Sequence, residues 1–285
     1  MTRSASRLKQ VATEWLLPPG VKRLASRALG RHAHQVITPA EKAILAGNAT
    51  LAGAYAGRRC FVLGNGPSLA KVDLAPLAGE VTIVMNAFNQ HPAARLWQPT
   101  FHCMAEPADA YSKPHMLDLL KTCLAGYTTS RHVFPIEARA VVEGVGLIPT
   151  DRLVFVKQQG TAAEYERIDL TGFVPTAHDT SILAVCLAIA LGCSPIVLLG
   201  VDYTWLSHRS THTHFYDDDA VPWPSVSLGT YAYLEQIKFA LSAWEAHASL
   251  RRIAAAGGQT IVNATEGSFL DVYPMTTLAA LLAPA

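Results

Sequence analysis

The chain has 285 residues, of which 50% are hydrophobic and 16% are charged, and its formal net charge is +1. This composition supports a large buried core and excludes a disordered polar chain. No run reaches the roughly 18 to 20 apolar residues that span a bilayer. The five cysteines are odd in number and lack paired spacing, which predicts reduced thiols in a cytosolic protein and argues against a zinc site.

Residues 1–34 differ from the remainder in charge. They carry seven Lys or Arg against one acid, Glu14, and so have a net charge of +6. Apolar residues at helical spacing predict amphipathic helices, and two interpretations stay open. The helices lie on the anionic face of a membrane, or they pack on the protein or on a partner subunit. No basic patch interleaved with aromatic residues recurs downstream, so a nucleic-acid partner is not expected.

Past this segment, short apolar stretches that favour strands alternate with helical ones. Strands are predicted over residues 59–64, 81–85, 100–104, 132–134, 153–156, 195–200 and 260–263. A wholly apolar helix is predicted over 181–191 and a long amphipathic helix over 231–256, whose aromatic side chains Phe239 and Trp244 are expected in the core.

This alternation predicts an α/β fold: a Rossmann-like, doubly wound, mostly parallel sheet with helices on both faces. We assign residues 1–56 to a basic amphipathic helical arm and residues 57–285 to one Rossmann-like nucleotide-binding catalytic domain. Ligands of such sheets bind beyond the carboxyl ends of the strands, at the switch point in strand order. The residues that follow the strands are therefore the candidates for function.

A glycine-rich turn follows the first strand. Gly64 and Gly66 flank Asn65, and Ser68 comes two residues later. Such a turn and the helix after it can hold a phosphate or carboxylate through main-chain amides, although a tight turn without a ligand explains the glycines as well. NAD is not expected, because Leu69 replaces the third glycine of a dinucleotide loop and Asn86 replaces the acid at the end of the second strand.

Two further groups lie at strand and helix ends. Thr180 and Ser181 open the apolar helix, where one of them is expected to be the N-cap and both could take part in an anion site. Gly200, Asp202 and Tyr203 end the strand over 195–200. An acid at this point suits a catalytic or ribose-binding role, and a solvated loop residue is the alternative.

A polar loop over residues 207–219 contains three of the eleven histidines beside Arg209. His212 or His214 could act as a general base near neutral pH. The same residues with Asp217, Asp218 and Asp219 could hold a metal ion, and a loop without chemistry is the third interpretation. Glu106, after the third strand, is a weaker candidate that faces the same cleft or caps the next segment.

Two blocks of this sequence together resemble known families. The Gly-Asn-Gly-Pro-Ser-Leu turn at residue 64 and the segment 180–203 resemble the bacterial sialyltransferases of glycosyltransferase family 42. The same blocks, with residues 213–215 and 260–265, resemble the family named for 6-hydroxymethylpterin diphosphokinase (MptE-like, formerly DUF115). The likeness covers roughly residues 58–282 and leaves the basic arm unmatched.

The sialyltransferase resemblance implies a metal-independent, inverting transfer from a CMP-activated acidic sugar, with a histidine as general base. It implies that Asn65 and Ser68 bind the nucleotide phosphate and that Asn86 lies beside the donor. Thr180 and Ser181 would bind the sugar carboxylate, and Asp202 would face the cytidine. His214 or His212 would act as the base. This sequence departs from that family where Thr204 and Ser210 stand near the expected phosphate-binding tyrosines, and where Glu106 replaces an asparagine.

The diphosphokinase resemblance implies ATP, Mg²⁺ and diphosphoryl transfer to a pterin-like substrate. Asp202 and residues 217–219 would lie on the metal side, and Arg209 would contact the phosphates.

The sequence thus predicts a glycosyltransferase of surface glycan assembly that needs no metal or cofactor. Its expected partners are a CMP-sugar donor and a glycan or lipid-linked acceptor, and its expected location is cytoplasmic, peripheral on the inner membrane. A homo-oligomer stays open. The alternatives are the diphosphokinase and a non-catalytic nucleotide- or glycan-binding protein.

Overall fold

The fold is that of a computed structural model, which describes residues 35–106, 108–207, 215 and 233–283. The described residues from Ile37 onward belong to one compact unit. The predicted amphipathic segment, 1–34, and most of the polar loop over 207–219 lie outside the described residues. The described residues contain no helix long and apolar enough to cross a membrane.

One parallel sheet of eight strands organises the described chain. Its strands are β1 (Cys60–Leu63), β2 (Val81–Met85), β3 (Phe101–Cys103), β4 (Arg131–Pro135), β5 (Leu153–Gln158), β6 (Phe173–Val174), β7 (Ile196–Leu199) and β8 (Ile261–Asn263). The order across the sheet is β6-β5-β4-β3-β2-β1-β7-β8. The predicted doubly wound α/β fold and all seven predicted strands are confirmed, and the two-residue strand β6 is an addition.

Six helices within the described residues surround the sheet. They are α1 (Pro39–Ala46), α2 (Pro114–Leu124), α3 (Arg139–Val145), α4 (Thr180–Ala190), α5 (Tyr233–Ala256) and α6 (Leu278–Leu282). Helices α4 and α5 cover one face of the sheet, where they pack on Cys60 and Val62 of β1. The alternate residues of β1, Phe61 and Leu63, point to the other face of the sheet. There they pack against side chains of the 3₁₀ turns and of α6. Helix α2 covers the same face beside β4 and β5.

Helix α4 lies at the centre of this packing, and every residue from Thr180 to Ile189 is buried. Its apolar sequence predicts this position. Gly192 ends it with a φ of +77°, a conformation that suits glycine.

Helix α1 precedes the sheet and was not predicted as a separate element. A capping box between Thr38 and Glu41 begins it, and Leu45 is fully buried. Just after it, the Asn48 side chain donates to the main-chain oxygens of Phe155 (2.8 Å) and Leu170 (2.9 Å). Residues 37–56, which the sequence assigns to the arm, therefore belong to the compact unit, and the boundary of any arm falls before Ile37.

The strand order places a switch point between β1 and β7. From β1 the chain proceeds to β2 on one side, and it returns through α4 to β7 on the other. The loops after β1 and β7 consequently diverge at the carboxyl edge of the sheet, which is where this class of fold binds ligands.

Candidate functional site

A cavity of about 180 Å³ opens at this switch point. Nine of the residues singled out in the sequence line it: Gly64, Asn65, Gly66, Asn86, Thr180, Ser181, Gly200, Asp202 and Tyr203. They come from the loops after β1, β2 and β7 and from the start of α4. The sequence prediction therefore locates the cavity, while the roles given to these residues stay predictions.

The two glycines of the first loop are required by contact with the loop after β7. A Cβ atom on Gly64 would lie 2.2 Å from the main-chain oxygen of Gly200, and one on Gly66 would lie 1.8 Å from Oδ2 of Asp202. The amide of Gly66 donates to that Gly200 oxygen at 2.8 Å. A short 3₁₀ helix, Pro67–Lys71, follows in place of the expected α-helix, so no α-helix N-terminus is available here for a phosphate.

Asp202 joins the same two loops through Ser68. The Ser68 amide donates to Oδ1 at 3.0 Å and its hydroxyl donates to Oδ2 at 2.8 Å. Asp202 is only 7% exposed, and this burial raises the pKa of its carboxyl group, against the lowering effect of the bonds from Ser68. Ser68 itself lies beside the cavity, and its hydroxyl hydrogen is already used.

Two asparagines line the cavity, one in the loop after β1 and one directly after β2. The Asn65 side-chain nitrogen donates to the main-chain oxygen of Met85 at 3.0 Å, while its Oδ1 is buried with no hydrogen-bond partner among the described residues. Asn86 has a φ of +49°, which asparagine tolerates better than most residues. Its carbonyl accepts a bond from Nε2 of His102 (2.8 Å), and its Oδ1 accepts one from the Thr180 hydroxyl (3.2 Å).

Asp179 begins α4 as its N-cap, accepting bonds from the amides of Ser181 and Ile182. The sequence assigns this cap to Thr180 or Ser181, which is wrong, because Asp179 precedes them with extended backbone and a carboxylate that reaches the free amides. The same carboxylate also accepts hydrogen bonds from the hydroxyls of Ser181 and Tyr203.

The backbone of Tyr203 has a φ of +55°, and its ring is buried in the protein. Its hydroxyl lies 3.2 Å from Nε2 of His247 on α5, and Nδ1 of His247 lies 2.9 Å from the hydroxyl of Tyr273. His247 is fully buried, which lowers its pKa to about 4. Neither His247 nor Tyr273 was predicted, since nothing in the sequence connects residues so far apart.

An apolar rim completes the cavity on the side of α5. Trp205 and Phe239 line it, with ring centroids 6.0 Å apart. Phe239 is 39% exposed, so the expectation that it belongs to the core is wrong. The helix turns this side chain toward the cavity mouth, whereas Trp244 packs edge-on against Tyr203 at 4.7 Å.

Glu106 does not line the cavity. Its Oε2 is buried with no hydrogen-bond partner among the described residues, and burial raises its pKa to about 7. Its neighbours include the neutral side chains of Tyr111 and Cys123, on the α2 face of the sheet. Arg209, His212 and His214 lie outside the described residues.

The described lining contains two carboxylates, Asp179 and Asp202, and no Lys, Arg or His. Within the described part of the chain, no three His, Cys, Asp or Glu side chains lie close enough to hold a metal ion. All five cysteines are free and buried, as predicted.

No family model and no curated protein matches the chain. Solved structures with a similar fold include a MAf glycosyltransferase from Magnetospirillum magneticum AMB-1, with 14% identity over 85% of this chain and a TM-score of 0.48. This chain covers 38% of the length of that one. The sialyltransferase CstII from Campylobacter jejuni, in complex with cytidine-5′-monophosphate, has 12% identity over 77% of this chain and 85% of its own, with a TM-score of 0.43.

A mammalian sialyltransferase in complex with Gal-beta-1-3GalNAc-ortho-nitrophenol has 12% identity over 72% of this chain and 69% of its own, with a TM-score of 0.34. These neighbours are transferases of sugars. At such identities and TM-scores, the likenesses carry no argument about the activity of this chain.

Proposed function

We propose that the chain is a glycosyltransferase that takes a nucleotide-activated sugar as donor, in the assembly of a surface glycan. One observation supports this most: four separate segments, each singled out in the sequence, converge on one cavity at the switch point of a parallel sheet. Because of the resemblance to family 42 sialyltransferases, we expect CMP as the nucleotide and an acidic sugar as the group that is transferred. In this proposal the transfer needs no metal ion.

The cavity volume of about 180 Å³ is below the roughly 300–1,000 Å³ of pockets that enclose whole ligands. A nucleotide sugar would therefore place only part of itself inside. The carboxylate of Asp202 can accept bonds from ribose hydroxyls, and the rings of Trp205 and Phe239 offer an apolar surface to a base. The phosphate would lie toward the mouth, and Arg209 is its proposed counter-charge.

Transfer with inversion is a single displacement. The acceptor hydroxyl oxygen bonds to the anomeric carbon while the bond from that carbon to the phosphate oxygen breaks, and the base removes the hydroxyl proton. His214 is the proposed base, with His212 as its neighbour. The basic arm would bring the domain to a lipid-linked acceptor at the inner membrane face, or to a partner subunit.

Thermal unfolding with CMP, CDP, UDP and ATP, each with Mg²⁺ and with EDTA, tests nucleotide binding. A ligand at 100 times its Kd adds about 2.7 kcal/mol, or roughly 4–5 °C for a chain of this size. We expect stabilisation by CMP that persists in EDTA. Stabilisation by ATP only with Mg²⁺ would instead identify the diphosphokinase, and no response to any nucleotide would overturn the proposal in favour of a binding protein for another ligand.

The base is tested with His214→Ala in a transfer assay with the nucleotide sugar selected by the first experiment. We expect turnover to fall by 10²-fold or more, as for loss of a general base, with nucleotide affinity nearly unchanged. His208→Ala, in the same loop, is the matched control and should retain turnover. Retained turnover in His214→Ala would refute the assignment and direct attention to His212.

A further inference from the structure

A buried polar network lies directly behind one wall of the cavity. Asp179, Ser181 and Tyr203 line the cavity, and His247 and Tyr273 lie behind them with 0% and 2% exposure. All five side chains are connected by hydrogen bonds. Since each bond needs one hydrogen, the network determines where the hydrogens of the wall point.

Both wall hydroxyls donate to the carboxylate of Asp179. Because a hydroxyl has one hydrogen, neither Ser181 nor Tyr203 has another to donate. The same two oxygens lie 3.1 Å and 3.2 Å from Nε2 of His247. These contacts are hydrogen bonds only if Nε2 carries the hydrogen.

Tyr273 is compatible with this arrangement from the other side of the ring. Burial lowers the pKa of His247 to about 4, so the ring is neutral at pH 7 and carries one hydrogen. With that hydrogen on Nε2, Nδ1 has a free lone pair and accepts from the Tyr273 hydroxyl at 2.9 Å. The single Tyr273 hydrogen has a second acceptor in the main-chain oxygen of His247 at 3.1 Å, and Nδ1 is the nearer of the two.

The neighbouring groups follow the same pattern. The Thr180 hydroxyl gives its hydrogen to Asn86, and the Ser68 hydroxyl gives its hydrogen to Asp202. Asn65, which also lines the cavity, has a buried side-chain oxygen without a partner among the described residues. The hydroxyls of Ser181, Tyr203 and Thr180 in the described lining therefore present oxygen lone pairs to the cavity.

We propose that His247 and Tyr273 are positioning residues that commit the wall hydroxyls to Asp179, so that the wall receives hydrogen-bond donors of the ligand. These donors are the hydroxyl or amino groups of a nucleoside or sugar, and a carboxylate or phosphate is excluded from this wall. The identity of the ligand as a nucleotide sugar rests on the proposed function. An acidic donor sugar would hold its carboxylate elsewhere, contrary to the expectation for Thr180 and Ser181.

The hydrogen assignment is tested without any ligand by ¹⁵N NMR of the histidine rings in the full chain, with the His247 signals identified by their loss in His247→Gln. We expect a hydrogen on Nε2 and none on Nδ1 at pH 7. Tyr273→Phe removes the donor to Nδ1 and should increase the Nδ1–H form, whereas Tyr165→Phe, whose hydroxyl bonds to Gln159, should not. A predominant Nδ1–H form in the unaltered chain overturns the assignment.

The binding preference is tested by calorimetry with CMP and with a CMP-activated nine-carbon acidic sugar. Ser181→Ala should change both Kd values by the same factor within about twofold, because Ser181 does not hold the carboxylate. A loss for the acidic sugar at least tenfold greater than for CMP overturns the proposal.

Rescue by a conservative variant separates positioning from packing. His247→Gln keeps an N–H near the position of Nε2 and should bind CMP within about threefold of the unaltered chain. His247→Leu removes the donor and should weaken binding about tenfold, which corresponds to 1.4 kcal/mol. Equal losses in both variants overturn the positioning role. If neither CMP nor the CMP-sugar binds the unaltered chain, the proposed function fails while the NMR result still decides the hydrogen assignment.

Discussion

Lowering the pH from 6.5 to 5 should destabilise the protein strongly, because three histidines are folded in their neutral form. His102, His132 and His247 are each 0% exposed. Burial lowers their pKa values to about 4, about 2 and about 4 respectively, with a further contribution from His102 in the case of His132. His102 and His132 also share a bond between their Nδ1 atoms, at 3.1 Å.

The sign follows from where protons bind. In unfolded chains histidine has a pKa of about 6.5. Between pH 6.5 and 5 the three histidines therefore bind protons in the unfolded state, whereas they stay neutral in the folded state. Each proton costs about 1.4 kcal/mol per pH unit, which gives about 2 kcal/mol per histidine and about 6 kcal/mol for three. Glu106 acts in the opposite direction, because its folded pKa of about 7 lets the folded state bind the proton first. It offsets about 2 kcal/mol.

The net expected loss is therefore about 4 kcal/mol, a large share of the roughly 5–15 kcal/mol that stabilises a typical domain. Urea unfolding at constant ionic strength, followed by circular dichroism at steps between pH 7 and 5, measures it. Glu106→Gln removes the offset and should steepen the loss by about 2 kcal/mol. The matched control Glu266→Gln, an exposed side chain, should follow the unaltered chain. A free energy of unfolding that stays constant or rises toward pH 5 refutes the argument.

Two further substitutions test the packing around the site by the free energy of unfolding. Gly66→Ala should cost 2 kcal/mol or more, because the new Cβ would lie 1.8 Å from the Asp202 carboxylate. Gly144→Ala, in a helix with no atom within 4 Å of the new Cβ, should instead gain about 0.5–1 kcal/mol, and equal effects would contradict the steric argument. Asn48→Ala leaves two buried carbonyl oxygens without their donor and should cost about 2–4 kcal/mol. Thr50→Ala, exposed on the same turn, should change stability by less than about 0.5 kcal/mol, and parity between the two would be evidence against the Asn48 bonds.

Much of the fold and the place of the site could be predicted from the sequence. The strands are buried on both faces, so they are short apolar runs, and the three that end at the site, β1, β2 and β7, are followed by glycine or asparagine. Because parallel strands share one carboxyl edge, residues as distant as Asn65, Thr180 and Asp202 had to meet. Their position in the chain relative to a strand end was sufficient.

The supporting residues could not be predicted in this way. His247 lies within an amphipathic helix, where a buried histidine has no distinguishing spacing, and Tyr273 lies in a loop after β8. The N-cap of α4 was misassigned, because Asp179, Thr180 and Ser181 are all good caps and only the backbone decides between them. The left-handed conformations of Asn86 and Tyr203 are likewise imposed by tertiary packing, as the bond from His102 to Asn86 shows.

The contact between the loops after β1 and β7 should make the two loop sequences covary among homologous proteins. Ser68 and Asp202 are 134 positions apart, yet Gly66 leaves no room for any side chain while Asp202 keeps its place. Substitution in one loop is tolerable only with compensation in the other, so the motifs Gly-Asn-Gly-Pro-Ser and Gly-Val-Asp should be retained or lost as a pair. A sequence-search pattern that requires both motifs, at a variable separation, would identify homologues more selectively than either motif alone.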